Sequence, residues 1–370
     1  MDNNKKKIMF SGGHHTPAVS VIAQIKKQGM LVDLVWVGHK FSMVNDTSKS
    51  AEFKEITGLG IRFIELKASK MYKNVNIGSV LKFAISLIVS FRIIKKEKPD
   101  LIVSFGGYLA VPIVIIGRLF KLKIISHEQT RSSGFANRVI AYFADEILLT
   151  WPSSSKFYTK FQDKTKIVGL PVRKNIFKGN KLTNLNQDLL TIYITGGKQG
   201  SHIINLAVEE SLDKMLQEFN VIHQVGSNSY YKDFDRMKGL GQGKTGKYLI
   251  SEFIGQDEIG SVFQSSDIVI TRGGANTIYE LGLLGKPAVI IPISNSSHNE
   301  QFENAKFLEE NGFAIIITEE TLSASTLLDS LKSIKDQLNV YESNAKKINS
   351  KLKKNADVSI TEKISYWLSK

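Results

Sequence analysis

The chain carries one device twice. Met9-Phe10-Ser11-Gly12-Gly13-His14 runs into a helical pattern over Pro17 to Gln28, and Ile194-Thr195-Gly196-Gly197-Lys198 runs into another that begins near Ser201. Each copy is a strand end, a hydroxyl residue, two glycines and a helix start. From Ser11 to Thr195 the offset is 184 residues, about the length of one domain. Glycines let backbone approach a ligand, and the free amides and dipole of a helix N-terminus attract anions. A tight turn would explain either copy alone, whereas two copies at this spacing point to a two-lobed nucleotide-type site. Neither copy is a GxGxxG fingerprint or a Walker loop, which disfavours a nicotinamide or flavin dinucleotide.

Around these loops short apolar runs alternate with helical patterns. Strands are expected at Leu34–Val37, Arg62–Leu66, Leu101–Phe105, Lys123–Ser126 and Glu146–Thr150. The second half adds Leu190–Thr195, Val221–Val225, Tyr248–Ile254, Asp267–Thr271, Ala288–Pro292 and Phe313–Thr318. This is the pattern of parallel sheets covered on both faces, so the fold class is α/β with two Rossmann-like domains. A length of 370 residues fits two cores. The expected organisation is an N-terminal domain over 1–174, a polar linker over 175–188 and a C-terminal domain over 189–340. A helical segment over 341–370 is expected to pack back on the first domain. With 42% hydrophobic and 23% charged residues the chain is globular, and with no cysteine it has no disulfide, zinc thiolate or thiol nucleophile. No signal peptide is read at the start, so the cytoplasm is expected.

The net charge of +14 is unevenly placed. Up to Lys174 there are 28 Lys and Arg against 12 Asp and Glu, and beyond it 21 against 23. All the excess faces one domain's partner, a nucleic acid or an anionic membrane. No basic run is interleaved with aromatics, so nucleic acid is disfavoured. The most apolar helical stretch, Ile77–Ile94, contains Lys82 and Arg92, which leave nine uncharged residues between them. It is therefore read as too interrupted to cross a bilayer. Ser79, Lys82, Ser86 and Ser90 form its polar stripe. With Lys95, Lys96 and Lys98 behind it, and Val111–Phe120 ending in basic residues, the stretch suits a helix lying on an anionic membrane surface. A helix buried against a sheet fits the pattern equally.

Several side chains can carry chemistry. His14, where a strand gives way to a helix, can act as a general base, or can cap the helix or bind phosphate. His127 and Glu128 end another strand at the ligand-binding edge, as site residues or as a structural pair. Thr271 to Glu280 is the strongest segment: Gly273 and Gly274 permit diphosphate approach, Arg272 can meet anionic oxygens, and Glu280 can accept ribose hydroxyls. Glu300 and Gln301 open a helix whose polar side chains can read a sugar. Asp233 and Asp235 have metal-ligand spacing, but their charged context reads as solvated surface. The seven histidines have no zinc pattern, and no metal or cofactor is expected.

Taken in order, these pieces resemble one family. They are Ser11-Gly12-Gly13-His14 with Pro17, Phe105-Gly106-Gly107-Tyr108, His127-Glu128-Gln129 with Asn137, and Pro171-Val172-Arg173. The second half adds Gly196 to Gly200, His223-Gln224, Glu252-Phe253-Ile254, Arg272 to Ala275 with Thr277 and Glu280, then Gln301 and Asn304. The chain is similar to the MurG family of peripheral membrane transferases, which add N-acetylglucosamine to the lipid-linked muramyl-peptide precursor of peptidoglycan.

The resemblance implies a GT-B type glycosyltransferase whose two parallel sheets face each other across a cleft. It implies UDP-N-acetylglucosamine on the second domain, with Ile254 meeting uracil through its backbone and Glu280 meeting ribose. Lys198 and the turn Ala275, Asn276, Thr277, Ile278 and Tyr279 would surround the diphosphate, with Gln301 on the sugar and Arg173 as a further donor contact. Ser11, Gly12, Gly13 and Thr130 of the first domain are also assigned to the donor. Tyr108, His127 and Glu128 would help shape the acceptor pocket, and His14 is read as the general base. The implied acceptor is the undecaprenyl-linked muramyl-pentapeptide, at the cytoplasmic face of the cell membrane. Departures from the family pattern stand at Met9, Phe10, Thr130, Leu170, Lys198 and Glu300. They leave two rivals, a same-fold transferase for another lipid or polysaccharide acceptor and a catalytically silent UDP-sugar-binding membrane partner.

Overall fold

The computed structural model describes residues 5–41, 49–67, 77–228, 230–296 and 299–370. The chain forms two compact units, Met1–Val172 with Lys353–Lys370, and Arg173–Leu352.

Unit 1 opens with β1 (Lys6–Ser11), α1 (His15–Lys27), β2 (Val32–Gly38), α2 (Ala51–Gly58) and β3 (Arg62–Glu65). It continues through α3 (Ile77–Glu97), β4 (Leu101–Ser104), α4 (Ala110–Leu119), β5 (Lys123–Glu128), α5 (Phe135–Phe143), β6 (Glu146–Leu149) and β7 (Thr165–Ile167). The seven strands are parallel in the order β3-β2-β1-β4-β5-β6-β7. Central strands bury both faces, which is why Ile8-Met9-Phe10 and Leu101-Ile102-Val103 read as continuous apolar runs. The edge strand β7 is short and half-exposed, and its Thr-Lys-Ile carries no such run.

Unit 2 follows with β8 (Leu190–Thr195), α6 (His202–Glu218), β9 (Phe219–Gln224), α7 (Asp233–Met237), β10 (Tyr248–Ser251), α8 (Ile259–Ser265) and β11 (Ile268–Thr271). Then come α9 (Ala275–Leu284), β12 (Ala288–Ile290), α10 (Glu300–Glu310), β13 (Ala314–Ile316), α11 (Ala324–Asp336) and α12 (Leu338–Asn349). Its six parallel strands run β10-β9-β8-β11-β12-β13. Both sheets reverse direction beside their first strand, and at such a switch point the carboxyl strand ends leave a crevice.

Two boundaries differ from the sequence expectation. The segment 175–188 is not a free linker but part of unit 2. The Leu182 amide donates to Ser265 Oγ at 2.8 Å, and a Cβ on Gly260 would lie 1.5 Å from the Lys178 carbonyl. The last helical segment also divides, because α12 stays with unit 2 and only α13 (Ala356–Leu368) belongs to unit 1. There Ile360 and Ile364 join the core of Ile8, Phe10, Ile22 and Trp36.

Helix α3 is inside out. Its serines Ser79, Ser86 and Ser90 are buried, whereas Leu81, Ile85 and Ile88 are 61%, 50% and 55% exposed. Burial is possible because Ser86 and Ser90 satisfy their hydroxyls on their own helix, donating to the Phe83 and Ser86 carbonyls at 2.6 and 2.7 Å. Phe83 and Leu87 pack on the core beside Ile93 and Ile94. At 21 residues, with a mean hydropathy of 1.9 in its most apolar window, α3 is long and apolar enough to cross a membrane by length and composition.

One carboxylate fastens α13. Glu146, nearly buried on β6, accepts from Trp367 Nε1 at 2.7 Å and pairs with Lys363 at 2.9 Å and Lys166 at 3.4 Å. Burial alone would raise its pKa, but the Trp367 and Lys363 hydrogen bonds and the lysine charges hold it below the ordinary value. A carboxyl depressed in the folded state stabilises above its unfolded pKa, and that contribution is lost as pH falls through the folded value. Glu146→Ala is expected to cost about 1–3 kcal/mol, since it strands the Trp367 donor. The deficit, read by urea unfolding, should be full at pH 7 and shrink below about pH 4.

Candidate active site

At the carboxyl edge of unit 1, backbone lies on backbone. The Gly13 amide donates to the Gly106 carbonyl at 2.9 Å, and a Cβ on Gly12 would sit 2.8 Å from the Phe105 carbonyl carbon. Gly106 and Gly107 have φ of 71° and 80°, and a Cβ on Gly106 would meet Asn137 Oδ1 at 2.5 Å. His14 follows this contact at the N-cap of α1, where its side chain makes no cap bond. The ring is partly covered, and desolvation, followed by the neighbouring His15, lowers its pKa to about 4. A partly exposed imidazole that stays neutral can accept a proton from a substrate hydroxyl.

The assigned acceptor residues separate into one surface group and two buried ones. Tyr108 is half-exposed, and its pKa is raised by burial and by the charge of Glu52. Glu128 is buried and accepts four hydrogen bonds: from the Thr130 amide (3.1 Å), Thr130 Oγ1 (3.0 Å), Asn137 Nδ2 (2.8 Å) and the Tyr158 hydroxyl (3.0 Å). Burial still leaves its pKa raised. Through Asn137, whose Oδ1 accepts from the Gly107 amide at 3.0 Å, this carboxyl fixes the Gly-Gly-Tyr loop rather than lining a pocket. His127 is also buried. Its Nε2 donates to the Gly169 carbonyl at 2.9 Å, its Nδ1 meets no donor, and desolvation lowers its pKa to about 4. Thr130, expected at the donor, is buried with its hydroxyl between Glu128 and the Ser132 carbonyl, so its side chain is an internal strut. Ser11 Oγ is buried without a partner.

A second acidic group lies nearby. Glu52, on α2, accepts from Trp36 Nε1, and desolvation raises its pKa to about 7, with that hydrogen bond and the charges of His15 and His39 opposing. His15 Nε2 lies 3.1 Å from Glu55 on the same helix. Neither carboxylate stood out in the sequence, because nothing local marks α2 as facing this edge.

Unit 2 repeats the construction. A Cβ on Gly200 would strike the Val225 carbonyl at 1.9 Å, and one on Gly226 the Gly200 amide at 2.1 Å. Gln224 Nε2 donates to Thr195 Oγ1 (3.0 Å) and the Gly197 carbonyl (2.9 Å), and its Oε1 accepts from the Ile254 amide at 3.0 Å. The Ile254 amide is thereby used within unit 2. Glu280 is buried in α9 and held by Arg173, whose Nε and Nη2 lie 3.3 and 3.2 Å from its two oxygens. Gly274 N-caps α9 without a side chain, so the amides of Ala275, Asn276 and Thr277 are open to an anion while Ile278 is already bonded to the Gly274 carbonyl. Asn276 Oδ1 meets no donor, and Tyr279 is buried. Lys198 is exposed on the Gly196–Ser201 loop. Gln301 turns Oε1 back onto the Ile293 amide at 3.1 Å, leaving its Nε2 to donate.

Two assignments change. Arg272 is not free for anionic oxygens but tied to Glu319, Ser201 and Ile291. Asp233 is buried rather than solvated, bound by His202 Nδ1 (2.8 Å), Asn205 Nδ2 (2.7 Å) and Arg236 (2.9 Å), while Asp235 is exposed beside Lys238.

Residues 11–149 match the glycosyltransferase family 28 N-terminal domain, and residues 191–360 match the C-terminal domain of the same family. The chain is 32% identical over 366 residues to the UDP-N-acetylglucosamine–N-acetylmuramyl-(pentapeptide) pyrophosphoryl-undecaprenol N-acetylglucosamine transferase of Clostridium tetani, covering 95% of this chain and 96% of that one. A transferase of the same name from Clostridium botulinum is 33% identical over 357 residues, covering 92% and 94%. The crystal structure of Acinetobacter baumannii MurG superposes with a TM-score of 0.73 over 98% of this chain and 99% of that one, at 23% identity, a likeness of fold. The chain belongs to glycosyltransferase family 28 and, within it, to the family of these N-acetylglucosamine transferases.

Proposed function

We infer that this chain transfers N-acetylglucosamine from UDP-N-acetylglucosamine to the muramyl-pentapeptide carried on undecaprenyl pyrophosphate, with inversion at the anomeric carbon. The observation that carries the donor reading is the buried Glu280 carboxylate, gripped by Arg173 on a helix whose first amides are uncapped. A fixed carboxylate accepts from two vicinal ribose hydroxyls, and open amides suit the diphosphate. His14 takes the proton of the acceptor hydroxyl as its oxygen attacks the anomeric carbon. The bond to the UDP oxygen breaks on the opposite face, and the departing charge is met by helix-start amides and by Lys198. Incubation with UDP-N-acetylglucosamine and the undecaprenyl-linked acceptor should add one N-acetylhexosamine to the lipid by mass. No addition, in protein that binds UDP, would contradict the assignment. The departure at Thr130 does not favour the rival acceptors, since that side chain is an internal strut.

The membrane reading rests on α3. Its outward Leu81, Ile85 and Ile88 continue into Phe91, whose ring meets that of Phe120 at a tilt, 5.2 Å between centroids, and Lys82, Arg92, Lys95 and Lys96 are exposed along it. Because Phe83, Leu87 and the serines pack on the protein, the helix lies on a bilayer as part of a peripheral protein at the cytoplasmic face of the cell membrane.

His14→Ala should lower kcat about 10²- to 10⁴-fold while UDP affinity stays within about twofold. A base with a pKa near 4 loses activity only as pH falls through that value, so the acid limb of kcat/KM due to His14 should lie near pH 4. A limb at 6.5 would contradict it. Replacing Leu81, Ile85 and Ile88 together with serine should weaken binding to anionic vesicles without lowering the melting temperature. Binding by the native protein should fall as salt rises, since each nearby Lys or Arg contributes about 1 kcal/mol that ions screen. At the donor loop, UDP affinity of the native protein should fall more steeply with salt than that of Lys198→Ser, by calorimetry. Equal slopes would remove Lys198 from the diphosphate.

A further inference from the structure

Arg272 stands at the end of the central strand β11, and its guanidinium reaches the carboxyl ends of the other strands on that side of the sheet. Nη1 donates to the Ile291 carbonyl, just past β12, at 3.0 Å, and pairs with Glu319 Oε1, past β13, at 2.7 Å. Nη2 donates to Ser201 Oγ at 2.7 Å. Ser201 begins α6 after the glycine loop of β8, and its hydroxyl makes no cap bond to that helix. The second oxygen of Glu319 accepts from the Ser294 amide at 3.0 Å. From Ile293 the same loop is fastened to Gln301. One ion pair therefore ties the loops after β8, β11, β12 and β13, four adjacent strands. With the Arg272 side chain 14% exposed and its fork turned onto protein acceptors, this arginine is occupied before any ligand arrives.

We propose that Arg272 and Glu319 are positioning residues that set UDP-N-acetylglucosamine affinity by holding the diphosphate loop and the sugar-reading loop in one register, without touching the donor. The proposal rests on the donor reading of unit 2. A planar guanidinium holds several acceptors at fixed angles where an ammonium holds them one at a time, so lysine cannot substitute. The bound sugar nucleotide would span both loops, and losing either partner would let them move apart.

The test is donor KM, kcat and UDP affinity for Glu319→Gln, Arg272→Lys and the double variant, with Glu280→Gln alongside. Each single variant should raise donor KM and UDP Kd about tenfold and leave kcat within about twofold, the scale of one lost charge-assisted contact. The double variant should be no worse than the weaker single, because the two residues act as a unit. If Glu319→Gln binds UDP as tightly as the native protein or more tightly, while Arg272→Lys loses it, Arg272 is a phosphate ligand and the proposal falls. If both bind normally while Glu280→Gln does not, the brace alone is wrong. Unchanged affinity in Glu280→Gln would instead sink the donor reading beneath it. Ser201→Ala, which removes one attachment and spares the ion pair, covers the case of a variant that does not fold. It should raise donor KM about threefold, and native KM in that variant overturns the proposal.

Discussion

Backbone pressed on backbone at the carboxyl edge of each sheet is the constraint from which the rest of this protein follows. Where the Gly13 amide meets the Gly106 carbonyl, and where Gly200 meets Gly226, no side chain fits between the loops. Within each unit the approach holds a strand-to-helix turn open at the carboxyl edge of its own sheet. Alanine at Gly106 or Gly200 would place a Cβ inside existing atoms, so these glycines are steric requirements rather than sites of flexibility.

Turns this open need fastening, and in each unit buried polar groups supply it. In unit 1, Glu128 gathers Thr130, Asn137 and Tyr158, and Asn137 passes the constraint to Gly107. In unit 2, Gln224 joins Thr195, Gly197 and Ile254, Arg173 orients Glu280, and Arg272 spans four strand ends. A charged group buried with all its partners stiffens a loop, whereas one missing partner would leave a costly orphan. His14, the base proposed for the transfer, is a group that these networks leave unused.

The sheets were legible because buried parallel strands announce themselves as apolar runs, and the twin loops because their glycines recur at one domain's distance. What was not legible depended on partners far along the chain. Arg173 and Glu280 are 107 residues apart, and no local pattern reveals that they grip each other. The polar stretch after Lys174 reads as a linker, although its backbone packs under Gly260. Asp233 looked solvated until His202 and Asn205 folded onto it. On α3 the serine stripe was visible but its direction was not. Serines that bond their own helix can face a neighbour as closely as alanine, and the wheel cannot say which side the protein covers.

The most direct test of this account is a crystal structure with UDP-N-acetylglucosamine bound. The uracil is expected on the Ile254 carbonyl, both ribose hydroxyls on Glu280 with Arg173 still behind it, and the diphosphate over the first amides of α9. A nucleotide bound away from Glu280, or an Arg173 that has left Glu280 to take the phosphates, would contradict it.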